Sequence, residues 1–355
     1  MSKNTSVPHR LLKPNAVVVQ PNDLALKTLA DWVEQGTIDV SPDFQRRDRW
    51  NPEKQSALIE SFLLNLPIPP IYLAEDETGQ YSVIDGRQRL TAICDFMAGR
   101  LHLSGLEELE GLNGKDFDSL PEAFQMRLAM RPLRTVALMN QSDPTAKYLV
   151  FKRLNAGGEH LNAQEVRNVA YRGALNDLLL RLSENEFLRQ QLKIYDNAKS
   201  AAYRKMLDVE YVLRFLTMRE VWSKFSGAFI PSMNAFMELH QYAEKAKLEE
   251  FQDSFNTTIA EVERIFGEHA FHRPEGNGWR AQFLAALFDA EMIAVDLLST
   301  AELESLPDLI GQRIIRELYD DPDFEKSVKA GTNTPSRVRF RIRTLTNALR
   351  EAVAQ

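Results

Sequence analysis

The hydrophobic pattern of this 355-residue chain changes character near residue 140, and that change limits the folds that the chain can form. Before it, apolar residues alternate in some segments and recur every three or four positions in others, as in a mixture of strands and helices. From Ser142 onward, strand patterns nearly vanish and helical spacing dominates. We therefore predict an α+β fold, with an α/β domain at residues 1–140 followed by a mostly α-helical domain at residues 141–355.

Local signals place the predicted elements. Short apolar runs bounded by turn residues predict strands at NAVVVQ, TIDVS, PPIYLA, YSVID and RTVAL. Asn51 followed by Pro52 predicts a helix start, because asparagine caps helices and proline suits the first helical position. A second helix is predicted from Arg87 to about Gly99. Further helical patterns follow at roughly 162–171, 203–222, 232–266, 279–298, 302–318 and 336–353.

Composition argues against a disulfide-stabilised, a secreted or a membrane-spanning protein. An apolar content of 44% is enough for a core without disulfides, and the single cysteine, Cys94, cannot form an internal one. Cys94 falls in an apolar helical stripe, which predicts a packed thiol. The first residues lack the apolar core of a signal peptide, which predicts a cytoplasmic protein. Carboxylates interrupt the most apolar late segment, AQFLAALFDAEMIAVDLL, so we expect no membrane partner.

The segment VIDGRQRL contains the parts of a phosphate site. A strand followed at once by a helix leaves Asp85 and Gly86 in a tight turn, and the N-terminus of such a helix favours anions. Arg89 adds a forked cation, Gln88 adds a donor and an acceptor, and Asp85 can hold a divalent metal or orient water. The same pattern is also typical of a capped helix in which Arg89 only forms an ion pair.

A second polar cluster, SPDFQRRDRW, follows a predicted strand at residues 41–50. Gln45 and Arg46 come after an aromatic residue, and three arginines fall within four positions. This density suits an anionic ligand, although carboxylates in the same segment can pair with one or two of the arginines.

A third cluster, FKRLNAGGEHLNAQEVRN, covers residues 151–168. Arg153 and Asn155 precede a double glycine, which permits positive φ or a close backbone approach. A helix hairpin with good caps explains the glycines and the capping residues. It explains Arg153, Asn155, Arg167 and Asn168 less well, so a ligand role for this cluster stays open.

In order along the chain, these clusters resemble the N-terminal domain family of the GmrSD restriction endonucleases, which has a ParB and sulfiredoxin-like core. Four blocks between about residues 20 and 175 carry the resemblance: DFQRRDRW, LIESFLLNLPIPPIYL, VIDGRQRLTAICDF and FKRLNAGGEHLNAQEVRN. The resemblance implies a ParB/sulfiredoxin-like first domain that binds and hydrolyses a nucleotide, in a prokaryotic defence against modified or foreign DNA.

The resemblance also implies roles for individual residues. Asp85 would hold Mg²⁺ and, with Gln88 and Gln45, form the catalytic set, in which a glutamine orients the attacking water. The phosphates of an NTP, whose base is not implied, would be bound by Arg46, Gly86, Arg89, Arg153 and Asn155. Positioning and charge stabilisation of this kind are what phosphoryl transfer chiefly requires.

Relatives that cut DNA often carry a C-terminal His-Asn-His nuclease domain with a ββα unit. The late segment GEHAFHRPEGNGW has two histidines three positions apart, but its sequence shows no ββα pattern. We therefore expect a helix end and a loop at this segment, and a separately encoded nuclease as the partner that would cut DNA.

The C-terminal run RVRFRIR is the best candidate for nucleic-acid contact, through Arg337, Arg339, Arg341 and Arg343. On a helix, Arg339 and Arg343 would share one face while Val338, Ile342 and Leu345 face another, so that part of the run would pack inward. The arginines could instead cover the acidic segment 302–325. The net charge of −7 argues against nonspecific coating of DNA.

Two functional hypotheses remain from the sequence. The first is an NTP-hydrolysing sensor or regulatory subunit of a restriction or phage-defence system. The second is a non-catalytic DNA-binding or regulatory module, in which a nucleotide site only switches conformation. Both are compatible with a homo-oligomer.

Overall fold

The computed structural model describes residues 17–40, 50–76, 78–142, 149–150, 153, 162–197 and 199–354. The chain divides into two compact units, Met1–Leu161 and Asn162–Gln355. The α+β prediction is confirmed, because a mixed sheet near the N-terminus is followed by a helical region. The functional boundary at residue 140 stays a prediction, since compactness alone does not delimit a functional domain.

A five-stranded sheet of order β1-β5-β3-β4-β2 organises the first unit. Its strands are β1 (Val19–Ala25), β2 (Ile38–Asp39), β3 (Ile71–Glu75), β4 (Tyr81–Asp85) and β5 (Pro132–Leu138). β2 runs parallel to β4, and β3 runs antiparallel to β4 and parallel to β5. β2 lies beside the start of β4, with Asp39 opposite Ser82, and the carboxyl ends of β4 and β5 lie at opposite ends of the sheet.

Helices and one apolar core complete this unit. The helices are α1 (Leu26–Glu34), α2 (Pro52–Leu63), α3 (Arg87–Met97), α4 (Glu122–Ala129) and the 3₁₀ turn Glu110–Leu112. The predicted start of α2 is confirmed: the Asn51 side chain accepts a hydrogen bond of 2.9 Å from Lys54 N, and Pro52 follows. Leu90 and Ile93 of α3 are fully buried against residues of the sheet and of α1 and α2.

The second unit is helical. Its helices are α5 (Ala163–Ala170), α6 (Ala174–Leu182), α7 (Glu186–Gln191), α8 (Ala201–Arg204), α9 (Leu207–Val221), α10 (Phe229–His240), α11 (Lys245–Phe266), α12 (Ala285–Asp296), α13 (Thr300–Ser305), α14 (Ile310–Tyr319), α15 (Pro322–Lys329) and α16 (Pro335–Val353). Asn162 and Glu165 form the predicted capping box at the start of α5. Among the residues that the structure describes, no helix is both long and apolar enough to cross a membrane.

A two-stranded hairpin in the second unit was not predicted. Its strands are β6 (Arg273–Glu275) and β7 (Gly278–Arg280), and it precedes α12. The expected helix from residue 279 was therefore wrong at its start. The loop expected within residues 267–279 was wrong in part, because β6 and the first residues of β7 lie there. Strands of three residues are too short to produce a period-2 pattern, so the hairpin left little trace in the sequence. The stretches 232–266 and 302–318 each divide into two helices.

Candidate functional site

The turn between β4 and α3 brings together the polar residues of the Asp-Gly-x-Gln-Arg motif. β4 ends at Asp85, and Gly86 then takes a left-handed φ of +92° as the N-cap of α3. A Cβ atom at Gly86 would lie 3.0 Å from both Arg89 Nη2 and Ile71 Cγ1, so glycine meets a conformational and a steric requirement. The N-cap residue of α3 is Gly86, which has no side chain to accept a hydrogen bond, so Asp85 is not the N-cap residue that the alternative interpretation made it.

Arg89 connects the end of β4 to the segment that enters β3. Its Nη2 donates a hydrogen bond of 2.9 Å to Asp85 Oδ2, and its Nη1 donates one of 2.7 Å to the Pro69 carbonyl. The Arg89 side chain is 12% exposed and that of Asp85 is 41% exposed. The ion pair considered from the sequence is therefore present. Pro69 was not predicted, because a carbonyl partner 20 positions away has no signature in the sequence.

Gln88 lies next to the end of the second polar cluster. Its Oε1 accepts a hydrogen bond of 3.2 Å from Trp50 N. β2 is parallel to β4 and therefore points toward the Asp85 end of β4, and Trp50 lies beside Gln88 near that end. Gln45 and Arg46 lie outside the described residues, so their roles stay predictions.

The third cluster follows β5, which does not end beside Asp85. β5 ends at the opposite end of the sheet from Asp85, and beyond it Asn140 N donates a hydrogen bond of 3.1 Å to Glu75 Oε2. Arg153 is an exposed helical residue, and Asn155 lies outside the described part of the chain. No described contact joins Arg153 to the Asp85 turn, so the phosphate roles of Arg153 and Asn155 stay predictions.

Arg167 and Asn168, which good caps did not explain, have structural partners in the second unit. Arg167 is fully buried, and it donates to Asn234 Oδ1 at 2.8 Å and to Gln164 Oε1 at 2.9 Å. Asn168 Nδ2 donates to Met206 Sδ at 2.9 Å. The bond to Asn234 joins α5 to α10, and the bond to Met206 joins α5 to the residue that precedes α9, which explains both residues without a ligand.

Arg341 cannot be a surface contact for nucleic acid, which corrects that part of the prediction. Its side chain is 0% exposed, with Nη1 donating to the Ser327 carbonyl at 3.0 Å and Nη2 at 3.5 Å from Asp289 Oδ2. Asp289 also accepts two hydrogen bonds from Arg214, of 2.6 and 2.7 Å. Arg341 is therefore part of a buried cluster of two arginines and one aspartate.

The other three arginines of the run lie nearer the surface. Arg337 donates to the Ala330 carbonyl and Arg339 to the Phe225 carbonyl, while the exposed Arg343 lies over the Trp222 ring. A nucleic-acid role for Arg337, Arg339 and Arg343 stays a prediction. The expected inward packing is confirmed, because three residues of this helix are 0% exposed: Val338, Ile342 and Leu345.

Two other chemistries receive no support. Burial raises the pKa of the Cys94 thiol to about 12, and the neighbouring Asp95 adds to the shift, so the thiol stays protonated and is a poor nucleophile. Among the described residues, no group of three or more His, Cys, Asp or Glu side chains could hold a metal ion.

The fold and the turn define an α+β protein in which a glycine turn at one end of a mixed sheet groups an aspartate, a glutamine and an arginine. Residues 29–172 match the family described as GmrSD restriction endonuclease, N-terminal domain. The match runs from α1 through α5, and it is to the family that the sequence predicted. No curated protein and no solved structure matches the chain.

Proposed function

We propose that this protein is a nucleotide-binding, NTP-hydrolysing sensor or regulatory subunit of a prokaryotic restriction or phage-defence system. The match of residues 29–172 to a restriction endonuclease domain family supports the biological setting. The nucleotide part is carried by one observation: the Gly86 turn groups Asp85, Gln88 and Arg89 at the start of α3. A helix N-terminus with an adjacent guanidinium is suited to bind phosphate.

In this proposal Arg89 both orients Asp85 and contacts phosphate. Its two described hydrogen bonds use two of the five N–H donors of a guanidinium, which leaves donors for a ligand. Arg46 is proposed to contact the same phosphates, and Gln88 or Gln45 to orient the attacking water. Arg153 and Asn155 complete the proposed phosphate contacts.

Magnesium is the proposed metal. Mg²⁺ commonly binds one or two protein carboxylates together with waters and substrate phosphates, so it does not need a cluster of acidic residues. Asp85 fits that role, since its side chain is 41% exposed and one carboxylate oxygen is oriented by Arg89. When bound, the ion would neutralise negative charge on the phosphates.

Partners are also part of the proposal. DNA cleavage is assigned to a separately encoded nuclease, and DNA is the proposed signal, contacted through Arg337, Arg339 and Arg343. Self-association of the chain is compatible with this arrangement.

Phosphate release from each NTP with Mg²⁺, with and without DNA, tests hydrolysis. We expect turnover by the unmodified chain and a loss of roughly 100-fold or more in Asp85→Asn, because a preorganised charged group is removed. The matched control is Asp95→Asn, which lies on the same α3 helix and pairs with Arg100 Nη2 at 2.9 Å. The control should leave turnover unchanged. Absence of turnover with every NTP would reject the hydrolysis proposal.

The contact between Arg89 and Asp85 also favours the second candidate, a non-catalytic DNA-binding or regulatory module with a nucleotide switch. A bound phosphate would compete with the Asp85 carboxylate for Arg89, so binding alone would favour a different turn conformation. Calorimetry should then detect nucleotide or DNA binding without phosphate release, and Asp85→Ala should alter assembly. An affinity for nucleotide that Arg89→Ala does not change would count against both candidates.

A further inference from the structure

A cavity of about 480 Å³ lies in the second unit, between the turn that follows α11 and the β6–β7 hairpin. Its lining includes two imidazoles, an indole and a guanidinium: His269, His272, Trp279 and Arg316. Small-ligand sites commonly occupy about 300 to 1,000 Å³ and combine aromatic walls with a few polar groups. The cavity therefore has the size and the lining of a binding site.

The backbone beside this cavity is strained. Phe271 has a φ of +66° and is fully buried, which is a rare conformation for a bulky residue. Its N–H donates a hydrogen bond of 2.9 Å to Glu291 Oε2, and its carbonyl accepts one of 2.9 Å from Leu284 N. Such strain persists where the surroundings fix it, and it occurs most often at functional sites. Here it fixes the position of the next residue, His272.

His272 has unused hydrogen-bonding capacity. Its Nε2 is buried and has no hydrogen-bond partner within the described residues. Burial lowers the pKa of His272, and electrostatic repulsion from the neighbouring His269 and Lys193 lowers it further. The ring is therefore uncharged at neutral pH. A buried polar atom without a partner is uncommon in folded proteins, and an absent ligand is one explanation for it.

One cation, Arg316, lines the cavity, and a second, Lys193, contacts the lining residue Ala281. Lys193 Nζ donates a hydrogen bond of 2.8 Å to the Ala281 carbonyl, and Arg316 donates to the carbonyls of residues 276–278 at 3.0 to 3.3 Å. Within the described part of the chain, neither has a carboxylate oxygen within 4 Å. Glu268 lines the same cavity, but its side chain is 86% exposed and lies 3.8 Å from His269 Nε2. Positive charge that no carboxylate neutralises attracts anions at a concave surface.

We propose that this cavity binds the phosphate group of a small organic ligand, with His272 and Arg316 contacting the phosphate. Trp279, which stacks on His269 at 5.0 Å and has the Arg316 guanidinium 4.6 Å from its ring centroid, holds Arg316 in place, and its ring edge lies beside the organic part. A phosphate has more charge and more acceptor oxygens than a carboxylate, so it suits donors that converge from several elements. Lys193 contributes charge from the rim, and Glu291 is a positioning residue that acts through Phe271. The inference uses no residue of the Asp85 turn and does not rest on the proposed function.

Calorimetric titration of the full chain tests the site, with inorganic phosphate, adenosine monophosphate and acetate as probes. An Asp85→Asn, Arg89→Ala background removes the proposed nucleotide site of the first unit, so the two proposals can fail separately. In that background we expect saturable binding of both phosphate compounds, and weaker binding of acetate. No saturable binding of either phosphate compound, or binding of acetate as tight as phosphate, would overturn the proposal.

Two variants locate the binding. Lys193→Met removes a cation from the rim, and His272→Phe keeps a ring while removing the unpartnered nitrogen. Each should weaken phosphate binding by roughly tenfold, the usual effect of losing one charged contact or hydrogen bond. Lys245→Met is the matched control, because Lys245 is 90% exposed and pairs with Glu249 on α11, and it should leave the affinity unchanged.

Circular dichroism would show whether the His272→Phe variant folds. If that variant does not fold, the phosphate affinity of Lys193→Met alone tests whether phosphate binds in this cavity. Lys193→Met could leave the phosphate affinity unchanged, or could weaken it no more than the Lys245→Met control does. Either result would show that phosphate binds outside this cavity and would overturn the proposal.

Discussion

Arg89 Nη2 lies 2.9 Å from Asp85 Oδ2, and Nη1 of the same guanidinium lies 2.7 Å from the Pro69 carbonyl oxygen. One side chain of α3 therefore joins the end of β4 to the segment that enters β3. Asp85 is the first polar residue of the motif and Arg89 is the last, so the motif fixes its own geometry before any ligand binds. Preorganisation of this kind is what a phosphate site or a switch requires.

Arg89→Ala should destabilise the first unit. The substitution leaves the Asp85 carboxylate without its cation and the Pro69 carbonyl without its donor, and we expect a loss of about 1 to 3 kcal/mol in the free energy of unfolding. Arg100→Ala is the control, because it removes a similar contact, to Asp95 at 2.9 Å, from a side chain that is 61% exposed. Its loss should stay below about 1 kcal/mol. Equal losses in urea denaturation would contradict the bridging role of Arg89.

Gly86→Ala should lower the free energy of unfolding by more than the left-handed φ of Gly86 alone would cause. Gly99 also has a positive φ, of +69°, but nothing lies within 4 Å of a Cβ atom built there. Gly99→Ala should therefore show only the conformational cost of a left-handed alanine, about 1 to 2 kcal/mol. Gly86→Ala adds contacts with Arg89 and Ile71, and we expect a further loss of about 1 to 3 kcal/mol. Thermal unfolding of the two variants measures the difference, and equal shifts would show that the Gly86 contacts relax freely.

The sequence predicted the first unit well because its signals are local. The Asn51 cap, the apolar stripe of α3 and the strand at YSVID each depend on neighbours within a few positions. The strand order and the Arg89 bond to Pro69 depend on residues far apart in the chain, and a single sequence carries no record of them. The Asp-Gly-x-Gln-Arg motif is recognisable in the sequence, whereas the ion pair between Asp85 and Arg89 was only one of two alternatives there.

The second unit shows what local patterns miss. The strands of the hairpin are three residues long, too short for alternation to be visible. Arg341 sits in a run of exposed-looking arginines, yet it is fully buried because Asp289, 52 positions earlier, offers a carboxylate in the core. Helical spacing correctly predicted that Val338 and Ile342 are buried. The charge of Arg341 led to the wrong prediction that its side chain is exposed.

Glu291→Gln should stabilise the protein increasingly as the pH rises. Burial raises the pKa of Glu291 well above its ordinary value of 4.5, and the hydrogen bond from Phe271 N offsets this only in part. Above 4.5 the unfolded carboxyl ionises first, so the unfolded state binds fewer protons and the stability of the unmodified protein falls with pH. Glutamine keeps an acceptor oxygen for Phe271 N and does not ionise. Unfolding curves at several pH values should show an advantage that is absent below 4.5 and grows above it.

Glu302→Gln is the control with the opposite sign. Hydrogen bonds from Ser299 lower the pKa of Glu302, and Arg350 lowers it further. Its ionised form therefore stabilises the folded state, and that stabilisation is present above the ordinary pKa and lost as the pH falls through the lowered value. The variant should be destabilised at neutral pH and less so in acid. The same pH trend in both variants would refute the assignment of the Glu291 effect to burial.

Asp289→Ala should be the most damaging of these substitutions. Asp289 accepts two hydrogen bonds from Arg214 and lies 3.5 Å from Arg341, so its removal leaves two buried guanidinium groups without their carboxylate. Breaking a buried ion pair from one side costs about 3 to 5 kcal/mol, whereas replacing all its members with apolar residues is often nearly neutral. The triple variant Arg214→Met, Asp289→Leu, Arg341→Met should therefore recover much of the stability that Asp289→Ala loses in urea denaturation. A triple variant as unstable as Asp289→Ala would mean that the cluster stabilises the helices by its geometry and not by charge balance.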